Sequence, residues 1–156
     1  MNGSMRPQVL LWYAGQMRIQ SLNHSTYQHQ YHLVWGTKYR RKWLKDFVKA
    51  ELLQSFYKTV HYYPTLHIYT VNMDNDHVHL QIEIPPNILV SKTVQVLKQN
   101  SSRALKKRFA YIRRMYLEDS IWSVGYFSST IGLNEEVIRK YIEHQGQKEL
   151  PKEVKL

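Results

Sequence analysis

One stretch constrains the chain more than any other: Val78, Leu80, Ile82 and Ile84 alternate with His77, His79, Gln81 and Glu83, and Pro85-Pro86 closes the run. A two-residue period over eight positions is the pattern of a strand with one face buried and the other open. Both histidines fall on the open face. Two imidazoles side by side can hold a divalent ion once another element brings a third ligand. Alone, the pair carries little weight, because 8 His in 156 residues give about 0.4 His-x-His pairs in a shuffled chain. Its weight depends on what else reaches that face.

Cysteine is absent, so a disulfide framework and a thiolate metal site are both excluded, and any metal must take His, carboxylate or amide ligands. The same absence fits an intracellular, cytoplasmic protein. A length of 156 residues with 43% hydrophobic and 13% aromatic content fits one folded unit. No window has the apolar length of a membrane span, so no membrane partner is expected. Lysine and arginine total 22 against 12 acidic residues, a formal net charge of +10. A surplus of that size points to a polyanion, of which nucleic acid is the commonest, although a merely soluble basic protein is the plainer alternative.

The positive charge is clustered. Lys38, Arg40, Arg41 and Lys42 form one group, Lys98, Arg103, Lys106 and Lys107 share a helix face, and Arg113 adjoins Arg114. Tyr39, Phe109, Tyr111 and Tyr116 lie among them. Basic groups so placed could track phosphates while aromatic faces accept unstacked bases. A solvated charge run is the ordinary reading of such a helix face. The first two groups are the candidate nucleic-acid contacts.

Read in order, residues 1–22 form a leader without signal-peptide features. Tyr27 to Trp35 reads as a strand, and Lys42 to His61 as a helix with Leu44, Phe47, Val48, Leu52, Phe56, Tyr57 and Val60 on its stripe. Thr65 to Met73 is a strand that the polar Asp74-Asn75-Asp76 link turns into the hairpin partner of the histidine strand. A second helix runs from about Ser91 to Phe109, and Ile121 to Ile131 reads as a fourth strand with Gly125 marking a bulge or close approach. Asn134 caps a last helix whose stripe is Val137, Ile138, Tyr141 and Ile142, and residues 150–156 form a polar tail. The order strand, helix, strand, strand, helix, strand is the split β-α-β, ferredoxin-like (RRM-like) arrangement: an α+β fold with two helices on one face of an antiparallel sheet. That fold hosts binding modules and enzymes alike.

The last helix offers the missing ligand. Tyr141 and Gln145 are four residues apart and share a helical face. Laid on the open sheet face, that helix would join an amide oxygen to the two imidazoles, a set suited to magnesium or manganese rather than to a closed zinc site. A tyrosine beside a metal in a basic protein suggests phosphoryl transfer, with the phenolate attacking phosphorus. A free phenol has a pKa near 10, so activation by the metal or by Arg139 and Lys140 would be needed. For one of 12 tyrosines the ordinary role is packing.

Tyr31-His32-Leu33-Val34-Trp35 leading into Lys38-Tyr39-Arg40-Arg41-Lys42, then Asp76-His77-Val78-His79-Leu80, Leu97-Lys98 to Arg103, Ile121-Trp122-Ser123 with Gly125-Tyr126-Phe127, and Tyr141-Ile142-Glu143-His144-Gln145 resemble the HUH single-tyrosine transposases. More narrowly, the chain is similar to the small transposase A proteins of the 200/605 class of bacterial and archaeal insertion sequences. The resemblance implies a catalytic domain over residues 23–149 that acts as a homodimer. It implies cleavage and rejoining of single-stranded DNA at element ends that carry hairpins, with Tyr141 forming a 5′-phosphotyrosine link and His77, His79 and Gln145 binding the metal. Asn75 stands where that family commonly has proline. Two alternatives stay open: a non-catalytic ferredoxin-like nucleic-acid-binding protein in which the histidines are structural, and a domesticated repeat-associated or replication-initiator HUH nuclease.

Overall fold

The structure, a computed structural model, describes residues 20–22, 25–27, 29–117, 120–130 and 140–144. Strands β1 (Gln20–Leu22) and β2 (Ser25–Tyr27) form a small antiparallel hairpin of their own. Strands β3 (Gln30–Gly36), β4 (His67–Met73), β5 (His77–Glu83) and β6 (Phe127–Ser129) form one antiparallel sheet in the order β4-β5-β3-β6. Helix α1 (Asp46–Tyr62) links β3 to β4, while α2 (Val90–Arg108) and the short α3 (Ala110–Met115) link β5 to β6. This is the ferredoxin-like order expected from the sequence.

The period read from the sequence sets the two faces. Leu33 and Trp35 of β3 and Val78, Leu80 and Ile82 of β5 are buried under the helices, against Val48, Leu52 and Phe56 of α1 and Val94, Leu97 and Leu105 of α2. Each such aliphatic side chain contributes roughly 1.5–3 kcal/mol by leaving water. A one-residue slip of β5 would carry both histidines into this core, so the buried face fixes their exposure.

Three elements differ from the periodicity. Helix α1 starts at Asp46 rather than Lys42, because Trp43 and Leu44 run extended into the core and the Leu44 amide donates to the Asn75 carbonyl at 3.1 Å. With that start the buried stripe is Val48, Leu52, Ser55, Phe56 and Thr59, which leaves Phe47 60% and Tyr57 46% exposed. The first sheet strand starts at Gln30, and Tyr27 belongs to the separate hairpin. The fourth strand shrinks from Ile121–Ile131 to Phe127–Ser129, and Ile131 lies outside the described residues.

Tryptophan packing explains the shortened strand. Trp122 makes only an isolated bridge to Thr37 and turns its ring into the core, edge-on to Trp35 at 6.1 Å and tilted against Trp43 at 5.4 Å. Its indole N–H donates to the buried Ser101 hydroxyl at 2.9 Å. Gly125 follows at φ 88, where a residue with a Cβ is disfavoured. Trp122→Ala should remove about 3–5 kcal/mol of stability, as read by urea unfolding, and a loss below 1 kcal/mol would contradict this packing.

Candidate active site

The open face of the sheet is built from alternate residues of three adjacent strands. His79 of β5 lies opposite Val34 of β3, and Val34 lies opposite Phe127 of β6. His77 and His79 project from the same side of β5, with ring centroids 5.1 Å apart. His32 of β3 stands between Gln81 and Ser129 in the same register. Burial pushes His32 below the ordinary histidine range, so it is neutral near pH 7.

His77 is held from behind. Its Nδ1 lies 2.7 Å from Oδ1 of Asp76, whose other oxygen accepts from the Arg40 guanidinium at 3.2 Å. The hydrogen bond with His77 is the main cause that lowers the Asp76 pKa, against the opposing effect of burial, and the Arg40 charge adds to it. Asp76 is only 4% exposed, and its carbonyl accepts from the Thr37 amide at 2.9 Å. A carboxylate on Nδ1 leaves Nε2 of His77 as the nitrogen able to ligate a metal. With His79 beside it, the two imidazoles could hold a divalent ion once oxygen ligands complete the set. Among the described residues no three His, Asp or Glu side chains converge to hold one. Gln145, expected as the third ligand, lies outside the described residues, as do Arg139 and Asn134.

Residues 140–144 are helical and rest on this same face. Ile142 and Val34 are both buried in a small second core, with Tyr141 and Phe127 packed against it. The Tyr141 and Phe127 rings lie 5.9 Å apart. Since neighbouring strands are about 4.8 Å apart, His79 and Phe127 stand about 10 Å from each other across Val34. Tyr141 is thus brought to the histidine-bearing side of its own sheet.

The basic candidates divide into those spent on the protein and those left outward. Tyr39 and Arg40 both adopt left-handed backbone, φ 61 and φ 54, in a tight turn after β3. For residues with a Cβ each such position costs about 1–3 kcal/mol. The turn is held by the Tyr116 hydroxyl donating to the Lys38 carbonyl at 2.7 Å, and by the Arg41 guanidinium stacked 5.1 Å from the Tyr39 ring and 5.2 Å from the Tyr116 ring. Arg40 is tied to Asp76, and Arg41 donates to the Met115 carbonyl, while Lys42 is exposed. Lys98 donates to the carbonyls of Ser123 and Gly125 at 2.7 and 2.6 Å and so clamps the approach to β6. Lys106 is half-buried, and its carbonyl accepts from Arg113.

Arg103 and Lys107 lie elsewhere. With Lys58 and Arg108 they line a groove of about 730 Å3 between α1 and α2, on the helix layer across the sheet from the histidines. Exposed Phe47 sits next to it, 5.6 Å from Phe109 and 6.4 Å from Tyr111. The candidates therefore do not form one surface. Sequence reasoning passed over Asp76 as the partner of His77; the Asp-His adjacency was the available signal.

The fold and site define a ferredoxin-like protein with paired histidines and a helical tyrosine on its bare sheet face. Residues 25–145 match the family described as "Transposase IS200 like". Over 125 residues, 80% of this chain and 82% of the relative, the sequence is 32% identical to the transposase for insertion sequence element IS200 of Salmonella typhimurium. The ISDra2 transposase TnpA of Deinococcus radiodurans is 31% identical over 79% of this chain and 88% of its own. A crystal structure of a candidate transposase from Deinococcus radiodurans superposes with a TM-score of 0.73 at 26% identity, covering 81% of this chain and 97% of that one. A tyrosine transposase associated with REP sequences, solved bound to a REP hairpin, shares the fold at TM-score 0.52 and 15% identity, over 80% of this chain and 69% of that one. The chain belongs to the IS200-like transposase family. No described helix is long and apolar enough to cross a membrane.

Proposed function

We propose that the protein cuts and rejoins single-stranded DNA at the ends of an insertion sequence, using Tyr141 as nucleophile and a magnesium or manganese ion held by His77, His79 and Gln145. One observation carries this reading: the row His79, Val34, Phe127 crosses the sheet with Tyr141 packed on its far end, on the face that bears both histidines. Family membership adds to it.

The ion, when bound, supplies polarisation of the scissile phosphate and neutralises charge as it develops. The chain supplies the rest. His77 and His79 present ring nitrogens to the site, and Asp76 fixes one of them. The Tyr141 oxygen attacks phosphorus while the bond from phosphorus to the 3′ oxygen breaks; the phenol loses its proton and the departing oxygen gains one. The products are a 5′-phosphotyrosine and a free 3′ hydroxyl. A 3′ hydroxyl from another end reverses the step and frees Tyr141, so rejoining conserves the bond energy.

The formal charge of +10 supports DNA as the partner, and the hairpin-bound neighbour supports a folded single strand. Arg41, Lys42, Arg103 and Lys107 are the exposed candidates for phosphate contact. On the family's pattern the acting form is a homodimer. Incubation with either strand of hairpin-bearing flanking DNA and Mn2+ should yield a protein-DNA adduct that survives denaturing electrophoresis, with one strand giving the product. Tight binding of both strands with no adduct and no cleavage would replace this reading by the non-catalytic one.

A further inference from the structure

Arg40 and Asp76 are adjacent to the proposed metal ligands but are not ligands themselves. The Arg40 guanidinium carries only N–H donors, so the Asp76 carboxylate that meets it at 3.2 Å is paired as an anion and accepts on both oxygens. The hydrogen on the 2.7 Å contact to His77 must then sit on Nδ1. The Asp76 main chain cannot shift, because its carbonyl accepts the Thr37 amide at 2.9 Å. Arg40 cannot easily turn away either. It sits in a left-handed turn locked by the Thr37 hydroxyl donating to the Arg41 carbonyl at 2.8 Å, by Tyr116 on Lys38, and by Arg41 between two aromatic rings.

We infer that Arg40 and Asp76 are positioning residues that lock His77 as its Nδ1–H tautomer with Nε2 turned to the site, and that the left-handed Tyr39-Arg40 turn serves to deliver Arg40 to Asp76 rather than to DNA. The inference deepens the metal-site reading and rests on it for its purpose. Without Arg40 the carboxylate loses one of its two side-chain partners; without Asp76 the imidazole is free to rotate and to exchange tautomers.

Two measurements on the full chain test it. The first is long-range 1H–15N NMR of the imidazoles without metal or DNA, with His77 assigned by its absence in His77→Gln. A single Nδ1–H form is expected in the wild type and a tautomer mixture in Asp76→Leu. An Nε2–H form in the wild type, or the same tautomer in Asp76→Leu, overturns the inference. The second is Mn2+ binding by electron paramagnetic resonance: Asp76→Leu should weaken it 10- to 100-fold, the range for lost partners of metal-binding histidines. Arg40→Gln should weaken it by a smaller factor, and Arg40→Lys should recover part of the loss. Unchanged Mn2+ affinity in Arg40→Gln removes Arg40 from the role, and a folded amide spectrum in each variant separates positioning from unfolding. A locked tautomer in a protein that never forms a DNA adduct would leave this arrangement standing while the nuclease reading fell.

Discussion

Tyr141→Phe is expected to abolish the protein-DNA adduct and to lower strand cleavage by at least about 10^4-fold, since loss of a nucleophile leaves only the contribution of the surrounding site. The change removes one oxygen and keeps the ring. Tyr141 is half-buried and its ring contacts Phe127, so phenylalanine preserves that contact and the docking of residues 140–144. Binding to a hairpin-bearing single strand should accordingly stay within a few-fold of wild type, measured by fluorescence anisotropy at a stated salt concentration. An adduct that survives the substitution would assign the nucleophile to another tyrosine. Of the described tyrosines, the core residue Tyr116 cannot serve, being 1% exposed and donating to the Lys38 carbonyl.

The second large effect is at the metal. His79→Ala removes a proposed ligand from the end of the row opposite Tyr141, and several kcal/mol of charge stabilisation lost in the transition state correspond to about 10^2- to 10^3-fold in rate. His79 lies on the open face and is not part of the buried core, so the unfolding free energy should move by less than about 1 kcal/mol. His77→Ala should match it in rate. It should also leave the Asp76 carboxylate with Arg40 as its side-chain partner, and so cost somewhat more stability than His79→Ala. Cleavage rates over a Mn2+ titration, read beside urea unfolding, separate the two quantities. Wild-type cleavage in either variant at limiting metal would refute the ligand assignment.

Alternation in β3 and β5 was legible because a strand with one buried face must repeat every two residues, and it carried the sheet, both faces and the histidine pair with it. Helix α1 was legible in type but not at its start: Trp43 and Leu44 are as apolar as helix-stripe residues, yet they are buried in extended backbone. The fourth strand was over-read for a related reason. Trp122, Tyr126 and Phe127 have strand-forming character, but Trp122 is committed to a long-range bond with Ser101, and the Lys98 ammonium holds the Ser123 and Gly125 carbonyls away from a ladder. The fate of the basic residues was the least legible. Charge predicts a phosphate contact equally for Arg40, Lys98 and Arg103, and only tertiary placement shows that the first two bond to the protein while the third faces a groove.

The second core on the open face has an energetic consequence. Among the described residues its buried members are Val34 and Ile142, against the extended cluster beneath the sheet. Ile142 gains roughly 1.5–3 kcal/mol by leaving water, and ordering the backbone of the segment that carries it costs about 1–2 kcal/mol per residue. The tyrosine segment is therefore expected to open on its own, whereas the histidines sit on a central strand of the main core. Nucleophile and ligands belong to different cooperative units: amide protons of residues 140–144 should exchange through local opening, and those of β5 only when the whole domain unfolds.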